Sequence, residues 1–276
     1  MSEKYILCAR GTLDVNNGPG TLLGGTPHDQ TEAATELMIH RLAAIHLLQT
    51  NVISKDYTVV TLPERKFLYE NIFDNVVDYA PGKFQYSIDV VRDVWYAKLP
   101  YKPFYGYYDR DKELINNIVY NNDILSKDIG DFLVCIPRLK RSDMIRNLDQ
   151  EYWLSFVECV KDQFEKIIVF GKGNENFADG DRVIYVDTLQ DFCSYIHHKN
   201  CKHVVSTISG PCHYVQQFGN TNKDTTLTMI DNGGMYKQHG HDPSFFHPCI
   251  NFTKVKIKII PDKVPAPERL RDILWD

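Results

Sequence analysis

The sequence predicts an α/β fold with two domains, each built on a parallel sheet, and three observations indicate it. Short apolar runs rich in β-branched residues alternate with amphipathic helical segments along most of the chain. This alternation occurs twice, with an irregular stretch between the two series. The 276 residues allow two domains of ordinary size, and a hydrophobic content of 43% supports a core in each. We expect domains at 1–128 and 129–250, followed by a tail at 251–276 that packs back on the N-terminal domain.

The first series of elements occupies the N-terminal part of the chain. A glycine-rich loop at 16–30 follows the first strand and leads into a helix over 31–51, in which Thr31 is the expected N-cap. A second helix is expected in ERKFLYENIF, after the second strand. The irregular stretch from 81 to about 130 is either a crossover segment or a wall that faces the substrate, and its residues 112–127 are predicted to be helical. The predicted strands are 5–11, 57–63 and 75–80.

The second series predicts another parallel sheet, with helices on both of its faces. Its last strand precedes the tail, which contains one alternating stretch, KVKIKII, and a short polar helix. The predicted strands are 131–138, 166–173 with its glycine turn, 182–188, 203–209 and 226–232, and the predicted helices are 151–164, 189–200 and 209–220.

The composition argues against several classes of function. The net charge of −5 provides no overall basic field, so we expect no nucleic-acid partner. The apolar runs are too short to cross a bilayer, and MSEKYILCARG lacks the regions of a signal peptide, so we expect no transmembrane segment and a cytoplasmic location. The seven cysteines are scattered without a CxxC pair, which indicates reduced thiols rather than disulfides or a zinc ribbon.

The stretch HVVSTISGPCH, at 203–213, joins a buried strand to a helix through Ser-Gly-Pro. Ser209 suits an N-cap, and Pro211 suits the first helical turn, where a missing N–H group has no cost. Gly210 allows a ligand to approach the backbone closely. This stretch therefore predicts a helix start that favours an anion. On its own, it is also consistent with a capped turn that binds no ligand.

Other strand ends in the second half carry polar and cationic side chains. Because the carboxyl ends of parallel strands meet at one edge, we expect these residues to share an edge with Ser209. Cationic side chains together with glycine-exposed amides suit a diphosphate. Taken alone, the PRLKR stretch is also consistent with a solvated basic loop. The residues are Arg138, Lys140 and Arg141 after the first strand of this half, Lys172 after the second, and Asp187 and Thr188 after the third.

This order of elements resembles the C-terminal, nucleotide-sugar-binding domain of GT-B glycosyltransferases. Over about 131–232 the strands are followed in turn by a basic PR loop, FGK, VDT and STISGPCH. The last motif is similar in shape to the Ser/Thr-x-x-Ser-Gly-Pro-x-His motif of the lipopolysaccharide heptosyltransferases, to which fucosyltransferase-like GT-B enzymes are related. The N-terminal half matches only in general style. The resemblance implies two Rossmann-like domains that face a cleft, which is the GT-B architecture.

The resemblance also implies a metal-independent transferase that uses a nucleotide-sugar as a donor substrate and needs no cofactor. Its C-terminal domain would bind the nucleoside diphosphate. Arg138, Lys140 and Lys172 would neutralise the leaving diphosphate as charge develops on it.

The remaining donor residues have less specific expectations. Ser209, Gly210 and His213 would lie at the phosphates or the sugar. Asp187 and Thr188 would lie near the base or the ribose, although an aspartate at that position is equally suited to cap the following helix.

The N-terminal domain would bind a hydroxyl acceptor, such as a glycan, and an inverting enzyme would need a base there. The candidates are Asp14, His28 and Asp29, with Asp29 and His28 favoured because GGTPHDQT leads directly into the long helix. Each is also consistent with an ordinary loop or cap residue. The loop lacks the endings of a P-loop and of GxGxxG. The glycines that would let this loop pass close to the sugar are Gly18, Gly20, Gly24 and Gly25.

Two further readings of function remain open from the sequence. One is a sugar-nucleotide epimerase of the same fold, which needs no separate acceptor. The other is a binding protein for glycans or nucleotides that has the fold without a catalytic base. The stretch HGHDPSFFHPC, at 239–249, contains three histidines and an aspartate, but nothing in the pattern holds them on one face, so we expect a polar loop and no metal site.

Overall fold

The structure, a computed structural model, describes residues 4–8, 41–80, 83–89, 117–137, 147–171, 173–207, 209, 211–212, 214–215, 225–232, 255–261 and 263–276. It divides into two compact units, Met1–Tyr120 and Asn121–Asp276, so the division comes before the boundary expected at 128. Among the described residues, each unit contains one sheet, and every strand pair in both sheets is parallel. The predicted fold class, an α/β chain with two Rossmann-like parallel sheets, is confirmed.

The first unit has a four-stranded sheet in the order β3-β2-β1-β4. Its small core joins the ends of the central strands, where Leu7, Val60 and Leu62 are buried together. The sequence did not predict β4, which lies in the irregular stretch. The elements are β1 (Tyr5–Leu7), α1 (Arg41–Gln49), β2 (Thr58–Thr61), a 3-10 helix (Pro63–Leu68), β3 (Asn75–Asp78) and β4 (Tyr86–Asp89).

The segment after β2 is a 3-10 helix rather than the longer helix that was predicted. Its main-chain bonds span three residues, with the Arg65 N–H donating to the Leu62 carbonyl at 2.9 Å and the Tyr69 N–H donating to the Lys66 carbonyl at 2.8 Å. Phe67, Leu68 and Tyr69 are all buried at its end. Arg65 itself is buried in this turn.

The second unit has a six-stranded sheet in the order β10-β9-β8-β5-β6-β7. Helices cover both of its faces, as the sequence predicted. On one face Trp153 and Phe156 pack against Leu133 of the sheet, and on the other Phe170 stacks on Phe192 with ring centroids 4.2 Å apart. The strands are β5 (Phe132–Ile136), β6 (Lys166–Phe170), β7 (Val183–Val186), β8 (Cys201–Thr207), β9 (Thr226–Asp231) and β10 (Lys256–Pro261). The helices are α2 (Asn122–Leu125), α3 (Gln150–Val160), a 3-10 helix (Glu175–Phe177), α4 (Leu189–His197) and α5 (Pro267–Trp275). Among the described residues, no helix has both the length and the apolar character that a membrane span requires.

The described part of the C-terminal tail, which was expected to pack on the N-terminal domain, belongs to the second unit. β10 extends the six-stranded sheet through a parallel register with β9 that runs from Lys256 opposite Thr226 to Pro261 opposite Asp231. On α5, Leu270 and Leu274 enter the same core cluster as the α3 side chains. The alternating pattern of the tail predicted a strand, but the strand's partner depends on long-range pairing that no local pattern encodes.

The helix predicted over 112–127 is limited, within the described residues from 117 onward, to the single turn of α2. The Asn121 side chain accepts from the Asp123 N–H and so starts a helix there. The same residue donates through its side chain to Asp191 and through its main chain to the Ser194 hydroxyl, both at 2.8 Å. These bonds to α4 replace the continuous helix that the spacing suggested.

At the start of β8, aromatic side chains surround His203 and cover that end of the second sheet. The His203 ring contacts Phe164 and Trp275, at centroid distances of 5.6 and 5.0 Å, and Phe164 and Trp275 stack at 5.6 Å. Burial, together with the positive charges of Lys258 and Lys202, lowers the pKa of His203 to about 4. The Asp131 carboxylate opposes this shift, and Lys256 adds a smaller lowering effect. The folded protein therefore favours the neutral form of the His203 imidazole.

We predict that His203 makes the protein less stable as the pH falls from about 6.5 to 4. An unfolded chain binds a proton on this imidazole near pH 6.5, whereas the folded chain resists the proton down to about 4. The free energy of unfolding therefore drops by about 1–2 kcal/mol between pH 7 and pH 5 on account of this residue. Urea unfolding of the native chain and of H203F at both pH values measures the difference.

The H203F variant keeps a ring at this position without a titrating group, so it controls for packing and for the carboxylates elsewhere. Its stability relative to the native chain should rise on acidification. An equal loss of stability in the two proteins between pH 7 and pH 5 would show that His203 does not titrate in this way.

Candidate functional site

The candidate site lies at the carboxyl edge of the six-stranded sheet. Because all its strands are parallel, the segments that leave them start at one edge, where ligands of open α/β sheets bind. The order along this edge differs from the order in the sequence. From β9 to β7 the residues that follow the strands are Asn232, Ser209, Pro137, Gly171 and Asp187.

The turn after β6 depends on two glycines with left-handed backbone angles. Gly171 has a φ of 119° and Gly173 a φ of 92°, which side chains with a Cβ rarely adopt. The Gly173 N–H donates to Glu175 Oε1 at 3.2 Å, and the Tyr185 hydroxyl donates to the same oxygen at 3.3 Å. Partial burial and the Glu175 carboxylate raise the pKa of Tyr185 to about 12, so the phenol stays protonated and keeps this bond.

Asn174 closes this turn from the inside and is fully buried. Its side-chain Nδ2 donates to the carbonyl of Pro137 at 3.2 Å and to that of Phe170 at 3.0 Å. The two acceptors lie at the ends of the neighbouring strands β5 and β6. The side-chain amide therefore ties two strand ends together at the carboxyl edge.

The loop after β8 is held by bonds among its own residues. The Ser206 and Ser209 hydroxyl oxygens are 3.0 Å apart, and Ser206 Oγ is 2.5 Å from the Thr207 carbonyl. Since a hydroxyl has one proton, Ser206 donates to the carbonyl and Ser209 donates to Ser206. The Cys212 thiol donates to the Ser209 carbonyl at 2.7 Å.

These bonds bear on the residues predicted for this loop. Ser209 is 7% exposed and its hydroxyl bonds to Ser206, whereas an N-cap would accept from a helix amide. Pro211 and Cys212 are helical, which is consistent with a helix start at this point.

Asp187 and Thr188 follow β7 and are both exposed. Thr188 is the N-cap of α4, because its hydroxyl accepts from the Asp191 N–H at 3.1 Å. The sequence left two roles open for Asp187, a contact to the base or ribose and a cap of the following helix. The cap is Thr188 instead. The Asp187 carboxylate is exposed at the edge, where a ligand can reach it.

Two asparagines and one acidic side chain at this edge were not singled out from the sequence. Asn174 and Glu175 form the bonds given above, and Asn232 donates to the Asn147 carbonyl at 2.9 Å, which fixes the approach to α3. The only available signal was the polar run GNEN directly after FGK. Such a run is typical of any surface turn, so it could not identify these partners.

In the first unit, the segment that leaves β1 is anchored where it begins. The Cys8 N–H donates to the Val60 carbonyl at 2.9 Å, and the Thr61 hydroxyl donates to the Cys8 carbonyl at 2.8 Å. Both Cys8 and Thr61 are fully buried. The loop that carries the predicted base therefore starts from a fixed point at the carboxyl edge of the four-stranded sheet.

Most of the predicted site residues lie outside the described residues. For the second unit they are Arg138, Lys140, Arg141, Lys172, Gly210 and His213, and for the first unit Asp14, Gly18, Gly20, Gly24, Gly25, His28 and Asp29. The histidine-rich stretch at 239–249 also lies outside them. Within the described ranges, no three His, Cys, Asp or Glu side chains come together in a way that could hold a metal ion.

Comparison with known proteins gives a likeness in fold alone. No family model and no curated protein matches the sequence. Among solved structures, the ADP-heptose lipopolysaccharide heptosyltransferase II of E. coli matches with a TM-score of 0.53 and 10% sequence identity. The match covers 99% of this chain and 98% of that one. The chain therefore has a glycosyltransferase-like fold over nearly its whole length.

We predict that the Thr188 side chain contributes to the stability of the fold and that the Asp187 side chain does not. T188A removes the hydroxyl that caps α4, so it should lower the free energy of unfolding by about 1 kcal/mol. D187A removes an exposed carboxylate that does not cap the helix, and its stability should stay within about 0.5 kcal/mol of the native chain. Urea unfolding of the two variants at pH 7 measures both values.

A loss of stability in D187A as large as that in T188A would contradict this assignment of the cap. T188S serves as the control, because it retains the capping hydroxyl and should behave like the native chain.

Proposed function

We propose that the chain is a GT-B glycosyltransferase that moves a sugar from a nucleotide-diphosphate donor to a hydroxyl acceptor such as a glycan. The observation that carries the proposal is the match, over nearly the full length of both chains, to the structure of an ADP-heptose lipopolysaccharide heptosyltransferase. The architecture of two parallel sheets, each with a carboxyl edge, supports it. A transferase of this type uses one edge for the donor and the other for the acceptor.

In this proposal the donor binds at the carboxyl edge of the six-stranded sheet. Lys172 stands in the sequence between two glycines with left-handed backbone angles, and Arg138 follows Pro137 directly. Their cationic side chains, with Lys140, would stabilise the diphosphate as it leaves. The reaction then needs no metal ion, since fixed protein charges supply the same stabilisation.

The other donor residues would contact the sugar and the nucleoside. Gly210 and His213 follow the end of β8, and Asp187 is an exposed carboxylate after β7. A carboxylate there can accept hydrogen bonds from the vicinal hydroxyls of a ribose.

The acceptor would bind at the carboxyl edge of the four-stranded sheet. The loop that begins at the anchored Cys8 carries Asp14, His28 and Asp29. One of them, with Asp29 or His28 favoured, would take the proton from the acceptor hydroxyl as it attacks the anomeric carbon from the face opposite the diphosphate. The anomeric centre is then inverted.

We predict that a nucleoside diphosphate stabilises the protein without a metal ion. A panel of ADP, GDP and UDP, their common sugar conjugates and CMP is tested by thermal unfolding in the presence of EDTA. A ligand at one hundred times its dissociation constant should raise the free energy of unfolding by about 2.7 kcal/mol, which corresponds to several degrees in Tm. K172A should bind the same ligand at least tenfold more weakly, because it removes one charge-assisted contact.

The absence of a shift with every nucleotide would refute the proposed donor site. A shift that EDTA abolishes would instead show that a metal ion takes part in binding.

We also predict that the acceptor base can be removed without loss of donor binding. D29N or H28A should lower the rate of sugar transfer by about 10²–10⁴-fold, the usual contribution of a general base, while the nucleotide-induced shift in Tm stays unchanged. Transfer is followed by release of the nucleoside diphosphate with and without acceptor. Full activity in D29N, H28A and D14N would show that the base lies elsewhere, and a product isomer formed without acceptor would identify an epimerase.

A further inference from the structure

One buried side chain links the ends of two central strands at the proposed donor edge. Asn174 is fully buried, and its Nδ2 donates to Pro137 at the end of β5 and to Phe170 at the end of β6. Both acceptors are carbonyl oxygens, so the amide can only face them with its nitrogen. The carbonyl contacts therefore fix the orientation of this side chain.

The two carbonyls that accept hydrogen bonds from Asn174 belong to residues that come just before cationic residues in the sequence. Pro137 is followed directly in the sequence by Arg138, and Phe170 stands two positions before Lys172. The strands β5 and β6 pair in parallel register, with Cys135 opposite Val169. The ladder ends close to these residues, so beyond that point the side chain of Asn174 continues the connection between the two strands.

The turn around Asn174 is built to accommodate this connection. A Cβ on Gly171 would lie 3.2 Å from Asn174 Nδ2, so the glycine leaves the space that the amide needs. The Asn174 N–H also donates to the Gly171 carbonyl at 3.2 Å, which closes the turn. The conformation of Gly171 thus leaves room for the hydrogen bonds of Asn174.

The two bonds of Asn174 come with a cost in stability. Its Oδ1 is buried without a hydrogen-bond partner among the described residues, and an unpaired buried oxygen is costly. The unpaired oxygen lowers stability, and the same side chain makes two hydrogen bonds that span β5 and β6. A function that requires a fixed distance between these strand ends would explain the presence of an asparagine here.

We propose that Asn174 is a positioning residue for the diphosphate-binding part of the site, an inference that rests on the proposed function. Asn174 fixes the distance between the end of β5 and the end of β6. In the proposed function, Arg138 and Lys172, which follow these strand ends in the sequence, would contact the oxygens of one diphosphate together. Asn174 acts through them and does not itself contact the ligand.

The test uses inorganic pyrophosphate, which carries the phosphate charges without the base or the sugar. N174A should bind pyrophosphate about tenfold more weakly than the native chain in calorimetry, since a displaced charge-assisted hydrogen bond has an effect of this size. N174D, which has the same shape but brings a carboxylate against two carbonyls, should lose more affinity than N174A. Measuring both variants keeps the test valid when one of them folds poorly.

Asn200 offers a matched control at the opposite edge of the same sheet. Its Nδ2 also donates to a main-chain carbonyl, that of Ile129, and it lies just before β8. N200A should bind pyrophosphate within twofold of the native chain. Hydrogen exchange without ligand should rise at the Gly171 and Gly173 amides, which are bonded in the native turn, in N174A but not in N200A, because only N174A releases the connection between β5 and β6.

The outcomes distinguish this inference from the proposed function. If the native chain binds pyrophosphate and N174A binds it equally well, Asn174 does not position the site, while the donor site itself stands. If N174A and N200A lose affinity equally, the effect is general destabilisation and the inference is wrong. If the native chain binds no pyrophosphate, the proposed donor site fails and this inference fails with it.

Discussion

The parallel pairing of the six-stranded sheet is the constraint on which the rest of the second unit depends. β5 lies among the central strands and is buried along its whole length, so it must be apolar at every position, as FLVCI is. Parallel pairing requires each connection to cross a face of the sheet, which places helices on both sides. It also brings every strand exit to one edge. Residues far apart in the sequence, such as Pro137 and Asn232, reach the same edge for this reason alone.

Most of the described polar side chains at that edge form hydrogen bonds with other residues of the protein. Asn174 connects β5 and β6, Ser209 bonds to Ser206 on β8, and Asn232 holds the approach to α3. The two asparagines bond to main-chain carbonyls that the ladders no longer reach where the strands end, and a buried polar group without such a bond is costly. In the proposed function, this frame leaves the ligand contacts to residues that follow the strands in the sequence and to exposed groups such as Asp187. Rigid support beneath variable segments is what a binding site on this fold requires.

The sequence predicted the central strands well and the longer-range features poorly, for physical reasons. β5 is a continuous apolar run, β6 is apolar after Lys166, and β8 has Val204 and Val205 at its centre, as burial on both faces of a central parallel strand requires. β4 reads Tyr-Ser-Ile-Asp, and so short and half-polar a run resembles a loop. The strand character of β10 was visible in its alternation, but its pairing with β9 was not, because pairing partners depend on the whole topology. Thr188 could be identified as a site candidate because it directly follows a predicted strand. The hydrogen bonds of Asn174 could not be predicted, because they require β5 and β6 to be adjacent in the sheet.

The two ends of β8 show how this sheet separates stability from the candidate site. His203 lies near the start of the strand, among Phe164 and Trp275, and Ser206 lies three residues later at the carboxyl edge. At about 3.3 Å per residue, these positions are roughly 10 Å apart along the strand. The charge of the imidazole is excluded by burial and by the nearby Lys258 and Lys202 ammonium groups, none of which lies at the carboxyl edge. Protonation therefore acts on the docking of α5, while the hydrogen bonds at the carboxyl edge keep their own neutral donors and acceptors. Acid sensitivity and ligand binding can thus be changed independently in this fold, because the length of one strand divides them.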